Sequence, residues 1–327
     1  MSQKTYLVTG GTGFIGSALV RRLVRDGHAV RVVDNDLRGH AERLSDLSGS
    51  IELIPADVRN VDALTAAARG CDSILHLAAL NGTENFYNRP ELVLDVGVLG
   101  MHAALSAAKQ AGVREFVLAS SSEVYQTPHV VPTPENEELK IPDPWNPRYS
   151  YAGSKLISEI MLANYHRDHF KRVIIFRPHN VYGPDMGWEH VLPQFILRAK
   201  EQVERTPRGP VPFPIQGDGQ QTRSFIYIDD FIDALLLLLQ HGAHRNLYHL
   251  GTMDEVPIEY LARLVVHHFG REAMIEPGSS PVGSTPRRCP DTRKIQALGF
   301  KPSVPLSEGV SRTAEWYVAN ASRRPAA

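Results

Sequence analysis

TYLVTGGTGFIGSALVRRLVRDG, residues 5–27, reads as a strand, a glycine-rich turn and an amphipathic helix. Gly10, Gly13 and Gly16 fall in a G-x-x-G-x-x-G spacing at the strand-to-helix turn, with Phe14 and Ile15 between them. Glycine there permits the tight turn, close approach of a pyrophosphate and close packing of helix on strand, while helix N–H groups face the anion. These five residues are expected to bind a dinucleotide, because the spacing sits in the first strand-to-helix turn, the context the motif requires.

Further apolar runs rich in Val, Ile and Leu follow at 29–34, 51–57, 73–78, 115–120 and 172–177, separated by helical patterns. Runs apolar on both faces between helices are what a buried parallel sheet requires. The expected class is α/β, a Rossmann-like doubly wound parallel sheet with a smaller C-terminal substrate-binding lobe. Residues 1–180 form the dinucleotide-binding domain in this reading and 181–327 mainly the lobe. A segment near 222–250 returns to the core, since FIYIDDFIDALLLLL looks like a strand and helix. Within the lobe, Pro- and Gly-rich loops alternate with helices near 190–204, 229–241, 257–269 and 305–319.

The second run ends at Asp34, eighteen residues after Gly16, near the ~20-residue offset at which an acid bonds the adenosine ribose. A carboxylate repels a 2′-phosphate, so NAD is expected over NADP; Arg38 argues the other way, since an arginine accommodates that phosphate. Asp57 ends the third run, with Val58 next to it, and either accepts from the adenine amino group or caps the helix near Val61. Leu77, Ala78 and Ala79 end the fourth, where small residues let a cofactor lie against the backbone or merely pack a helix.

Composition narrows the partners. The chain has 327 residues, a formal net charge of −1, 43% hydrophobic and 22% charged content. That gives no field for nucleic acid or an anionic membrane, so a small molecule is expected. Cys71 and Cys289 lack metal-ligand spacing, and no metal is expected. The N-terminus enters the first strand without a secretory pattern, and ALLLLL at 234–239 is far short of the ~20 residues that span a bilayer. A cytoplasmic location is the expectation.

SYAGSK, residues 150–155, puts Tyr151 and Lys155 one helical turn apart, so both point at one ligand. A phenol with a pKa near ~10 is a poor base at neutral pH. A lysine ammonium and an oxidised nicotinamide nearby would lower it. As a bare spacing, the pair equally describes two surface side chains.

Taken with the glycine turn, HLAA at 76–79, SSSEVY at 120–125, YAGSK at 151–155, RPHNVYGP at 177–184 and TRSFIYIDD at 222–230, the chain resembles the extended short-chain dehydrogenase/reductases. More narrowly it resembles the NAD-dependent epimerase/dehydratase family acting on nucleotide sugars. The resemblance implies that Tyr151 takes the proton of a sugar hydroxyl, usually the 4-OH, as hydride passes to NAD. It also implies that Ser121 bonds the same oxygen and Lys155 holds the nicotinamide ribose. Glu123 occupies the position of a glutamate in similar dehydratases and decarboxylases. Ser122 stands where dehydratases carry an aspartate, and Gly97 where relatives carry an asparagine that braces the central helix.

By the same resemblance, Asn180 reaches the substrate near its diphosphate, Arg223 bonds the diphosphate or a sugar carboxylate, and Arg288 or Arg287 completes the clamp. For Arg223 the alternative is an ion pair with Asp229 or Asp230, and His179 either faces the sugar or is a packed core residue. Ser121 and Ser122 are counted among the substrate contacts. Helices near 98–111 and 152–169 match those forming a four-helix homodimer in relatives, with Ala103, Ala104, Ala107, Ala108, Leu156, Ile160 and Leu162 suited to that interface or to an internal core. The expected activity is NAD-dependent nucleotide-sugar epimerisation through a 4-keto intermediate. Decarboxylation of a nucleotide-linked glucuronate or 4,6-dehydration through Glu123 is the alternative. A non-catalytic dinucleotide sensor or a net carbonyl reductase ranks below both.

Overall fold

A computed structural model describes residues 3–279 and 285–324. The chain divides into two compact units. The first holds residues up to Gln126, with Glu138–Pro178 and Leu235–His249; the second holds Thr127–Glu137, His179–Ala234 and residues from Leu250 on. Relative to the boundary expected at 180, residues 127–137 lie with the second unit, and 235–249 with the first.

The first unit is built on β1 (Thr5–Thr9), β2 (Ala29–Asp34), β3 (Ile51–Pro55), β4 (Ser73–His76), β5 (Glu115–Ala119) and β6 (Arg172–Pro178). They lie in the order β6-β5-β4-β1-β2-β3, parallel throughout, and the strand Asn246–Leu250 adds outside β6. Strand order reverses at β1 and β4, where doubly wound sheets bind ligands beyond the strands' carboxyl ends. Leu7, Val8, Ile74, Leu75, Val117 and Leu118 are at most 1% exposed, because helices cover both faces. The seventh strand corrects the sequence reading: the returning strand is NLYHL at 246–250, whereas Ile226–Tyr227 pairs with Val181–Tyr182 in a separate two-stranded sheet.

Pro90–Ala111 is one continuous helix with a π-helical turn at Asp95–Leu99. By length and composition it could cross a membrane, yet 56% of its most apolar window is buried inside the protein. Ala103, Ala104, Ala107 and Ala108 face the core beside the helix Val61–Ala68, at most 1% exposed. They are therefore an internal packing stripe.

In the second unit, Thr222–Ser224 pairs antiparallel with Glu255–Pro257 and parallel with Arg287–Arg288. Helices Val191–Arg205, Ile258–His268 and Leu306–Ala319 pack on one another. The buried Asp230 carboxylate accepts from the Ser303 and Val304 amides and the Ser303 hydroxyl at 2.7–3.0 Å, which fixes the approach to the last helix.

Candidate active site

The glycine turn owes its shape to contacts that no side chain could share. Gly10 has φ +73°, and a Cβ on it would lie 2.8 Å from the Ala78 backbone; one on Gly16 would lie 2.1 Å from the Gly10 carbonyl oxygen. Gly13 precedes the helix Phe14–Arg25, whose first turn has neither a side-chain cap nor an acidic residue. Its N–H groups at Phe14, Ile15 and Gly16 thus keep the positive end of the helix dipole available to a pyrophosphate.

Asp34 ends β2 and accepts from the Thr12 and Asp36 amides, each at 3.0 Å. A carboxylate offers about four lone-pair sites, so this fixed group can still receive ribose hydroxyls. Asp57 does not cap the helix at Val61; Asn60 does, accepting from the Ala63 amide. Asp57 instead pairs with Arg59 at 2.8 Å and accepts from Asn35, and Arg59's bond holds its carboxyl below the usual range. Val58 is buried, and Gly100 of the long helix packs closely against it. The Leu77 amide continues the β4–β1 ladder to the Thr9 carbonyl at 3.1 Å, and Ala78 and Ala79 follow, partly buried. Arg38 bonds the Asn81 carbonyl.

Tyr151 and Lys155 are both buried in the helix Ser150–Asn164. Lys155 Nζ is 5.9 Å from the centre of the Tyr151 ring and donates to the Ala119 carbonyl at 2.7 Å, at the end of β5. Ser121 hydrogen-bonds Tyr151, and its Oγ accepts from the Glu123 amide at 3.1 Å. Ser122 is buried in the same turn.

The chain's own groups raise the phenol, so the expected depression would have to come from the oxidised nicotinamide. Burial pushes Tyr151 up to about 12, and the Glu123 charge raises it further, against lowering by Ser121 and Arg38. Burial likewise pushes Lys155 down to about 8, with Glu159 acting upwards. Desolvation outweighs the nearby charges because both groups sit in the protein interior.

Gly97 lies in the π-helical turn, and its carbonyl accepts from Ser158 at 3.1 Å. A Cβ at Gly97 would lie 2.5 Å from both Cβ and Oγ of Ser154. Ser154 therefore fills the space that an asparagine would need. Restoring that residue as Gly97→Asn is expected to cost ~1–3 kcal/mol by overpacking, measured by urea unfolding. A further Ser154→Gly substitution should recover part of the loss; no recovery would show that the crowding lies elsewhere.

In the second unit, Asn180 takes a left-handed φ of +41° and donates from Nδ2 to the Ser224 carbonyl at 2.8 Å. Arg223 donates to the Thr222 carbonyl at 2.7 Å. Of the two carboxylates beyond it, Asp229 meets Arg312 and Asp230 holds Ser303. Arg288 stands in register with Arg223 on the adjacent parallel strand, so the two side chains share a face. Arg287 points the other way and grips Glu255 through two bonds of 2.6 and 3.1 Å. His179 is 2% exposed and packs beside Gly251. Among the described residues no cluster of three His, Cys, Asp or Glu side chains could hold a metal ion.

Two neighbours of the pair escaped the sequence reading. Phe86 stacks on the Tyr151 ring, with centroids 5.3 Å apart and planes at 15°. Nothing in local spacing marks it. Glu159 lies one turn beyond Lys155 on the same helix, a spacing the sequence does display.

Known proteins resemble the chain in sequence and fold. The model of the NAD dependent epimerase/dehydratase family matches residues 6–251. UDP-glucuronic acid decarboxylase 1 of Xenopus tropicalis is 34% identical over 96% of this chain and 72% of its own length. The dTDP-glucose 4,6-dehydratase DesIV of Streptomyces venezuelae, solved with NAD and TYD bound, superposes with a TM-score of 0.85 at 28% identity, covering 98% of each chain. UDP-glucose 4-epimerase of Thermotoga maritima, solved with UDP-glucose, gives a TM-score of 0.84 at 26% identity over 97% of this chain and 99% of that one. With its glycine turn, Asp34 and the Ser121–Tyr151–Lys155 group in place, the chain belongs to the NAD-dependent epimerase/dehydratase family of nucleotide-sugar enzymes, and its cofactor is NAD.

Proposed function

We propose that the chain oxidises a nucleotide-linked sugar at C4 and returns the hydride to the other face of the 4-keto sugar, giving the C4 epimer. The observation that carries this reading is the Ser121–Tyr151 hydrogen bond, one helical turn from the buried Lys155. Tyr151 Oη takes the proton of the 4-OH, Ser121 Oγ holds that oxygen, and on return Tyr151 gives the proton back. NAD, when bound, accepts the hydride from C4, returns it, and brings a positive charge while oxidised. That charge answers the raised phenol, which the protein's own groups leave protonated at neutral pH.

A second reading draws on Glu123, whose charge acts on Tyr151 and so stands near the phenol. Plain epimerisation gives a carboxylate there no task. A 4-keto sugar has an acidic C5 proton, and a C5 carboxylate becomes a β-keto acid that loses carbon dioxide. With Ser122 in place of an acid, decarboxylation is the better supported of the two lyase outcomes. Incubation with a panel of nucleotide sugars decides by product mass: unchanged for an epimer, less carbon dioxide for decarboxylation, less water for dehydration. Net consumption of added nicotinamide cofactor would overturn both readings.

Arg223 and Arg288 form the anion clamp in this proposal, and Asn180 supports it. Losing a charge-assisted bond to phosphate costs ~1.5–3 kcal/mol, so Arg288→Ala should raise KM roughly 10- to 150-fold. Arg287→Ala should leave KM nearly unchanged, since Arg287 is occupied by Glu255. Equal effects of the two would refute the assignment.

The same proposal includes a homodimer, through a face different from the alanine stripe. Leu162 is buried and Leu156 half-buried, while Leu99, Ile157 and Ile160 are 52%, 41% and 53% exposed on two packed helices. Sedimentation equilibrium should give twice the monomer mass.

A further inference from the structure

We infer that Glu159, paired with Arg177, is a positioning residue that fixes the place and charge of Lys155. The inference rests on the proposed role of Lys155 in proton transfer, and its evidence is a buried chain of polar groups in the first unit.

Glu159 is 6% exposed, and its carboxylate is fully engaged. Arg177 on β6 binds it through Nε at 2.8 Å and Nη2 at 2.6 Å, and the Ser120 hydroxyl donates to Oε1. Ser120 follows Ala119, whose carbonyl accepts from Lys155 Nζ. The acid and the lysine therefore hold adjacent residues at the end of β5. Arg177 Nη1 reaches on to the Tyr125 hydroxyl, which meets His249 Nε2 at 2.6 Å. Burial works against the Arg177 charge, but its bonds to Glu159 keep it protonated.

Of the two carboxylates near the pair, Glu123 at the 122–125 turn acts on Tyr151, and Glu159 is the one that acts on Lys155. Tyr151 on the same helix is a neutral phenol, and His76 on β4, bonded to Thr9 at 2.9 Å, is pushed down to about 3 by burial and by Lys155 itself. Arg177 on β6 and Tyr125 at the 122–125 turn belong to the chain just described. The stretch 90–99 contributes Glu91 and Asp95, the latter paired with Arg59 at 3.5 Å. Glu115 at the far end of β5 pairs with Arg172 at 3.0 Å.

The test follows the Lys155 side chain directly, by NMR of protein carrying labelled lysine, with its signal assigned through Lys155→Met. Wild-type Lys155 should titrate near 8. In Glu159→Gln the midpoint should fall by roughly one pH unit or more, because an opposite charge nearby has been removed. If that variant does not fold, Glu159→Asp draws the carboxylate back from Ser120 and should lower the midpoint by less. Tyr125→Phe breaks the far end of the chain and should leave Lys155 in place, even with comparable loss of thermal stability. An unmoved midpoint in a folded Glu159 variant, or an equal shift in Tyr125→Phe, overturns the inference. The alkaline limb of turnover should follow the Lys155 midpoint downwards. A midpoint that moves without the limb upholds Glu159 as the anchor and refutes the proton-transfer role of Lys155.

Discussion

Tyr151→Phe should retain NAD and lose turnover by ~10²–10⁴-fold, the usual contribution of a positioned acid–base group. The substitution removes one oxygen and keeps the ring, so stacking on Phe86 and burial in the helix persist. The hydrogen bond with Ser121 is lost, at about 1 kcal/mol, too little to unfold the domain. Thermal unfolding and NAD titration should therefore match wild type while product formation collapses. Turnover within severalfold of wild type would refute the phenol as the base. The sign of the pH dependence adds a second check. Burial raises the folded phenol to about 12, so the phenolate is scarce at neutral pH. Turnover should climb with pH until Lys155 loses its proton near 8.

How much of this was legible in sequence depends on whether the cause was local. The glycine turn and the buried strands declare themselves because parallel sheets demand apolar runs. The Tyr151–Lys155 pair declares itself because one helical turn brings both to one side. The strand Asn246–Leu250 does not, since polar Asn246 opens it and His249 interrupts it; His249 is buried and meets Tyr125, 124 residues away. The alanine stripe at 103–108 suits an interface or a core equally, and only the packed helix Val61–Ala68 decides between them. The burial that raises Tyr151 is hidden for the same reason: charges nearby in sequence are visible, whereas desolvation belongs to the assembled fold.

Gly16→Ala is the second large effect expected, and it separates cofactor binding from chemistry. The new methyl would lie 2.1 Å from the Gly10 carbonyl oxygen and 2.7 Å from the Gly11 Cα. Both neighbours are backbone, so no side-chain rotation relieves the contact, and the helix must move away from the turn. Overpacking of this kind costs ~1–3 kcal/mol. The displaced groups are the helix N–H donors that would face a bound pyrophosphate, so the cost should appear mainly as NAD affinity weakened roughly 5- to 150-fold. Gly13→Ala is the internal control: its methyl would meet the Gly10 oxygen at 3.3 Å, a contact that a few tenths of an ångström relieves. Equilibrium dialysis with NAD should rank wild type first, Gly13→Ala next and Gly16→Ala last. Saturating NAD should restore turnover in Gly16→Ala, whereas it cannot restore Tyr151→Phe. Equal NAD affinity in wild type and Gly16→Ala would mean that the glycine turn does not carry the pyrophosphate, and the dinucleotide would have to be held elsewhere on the sheet.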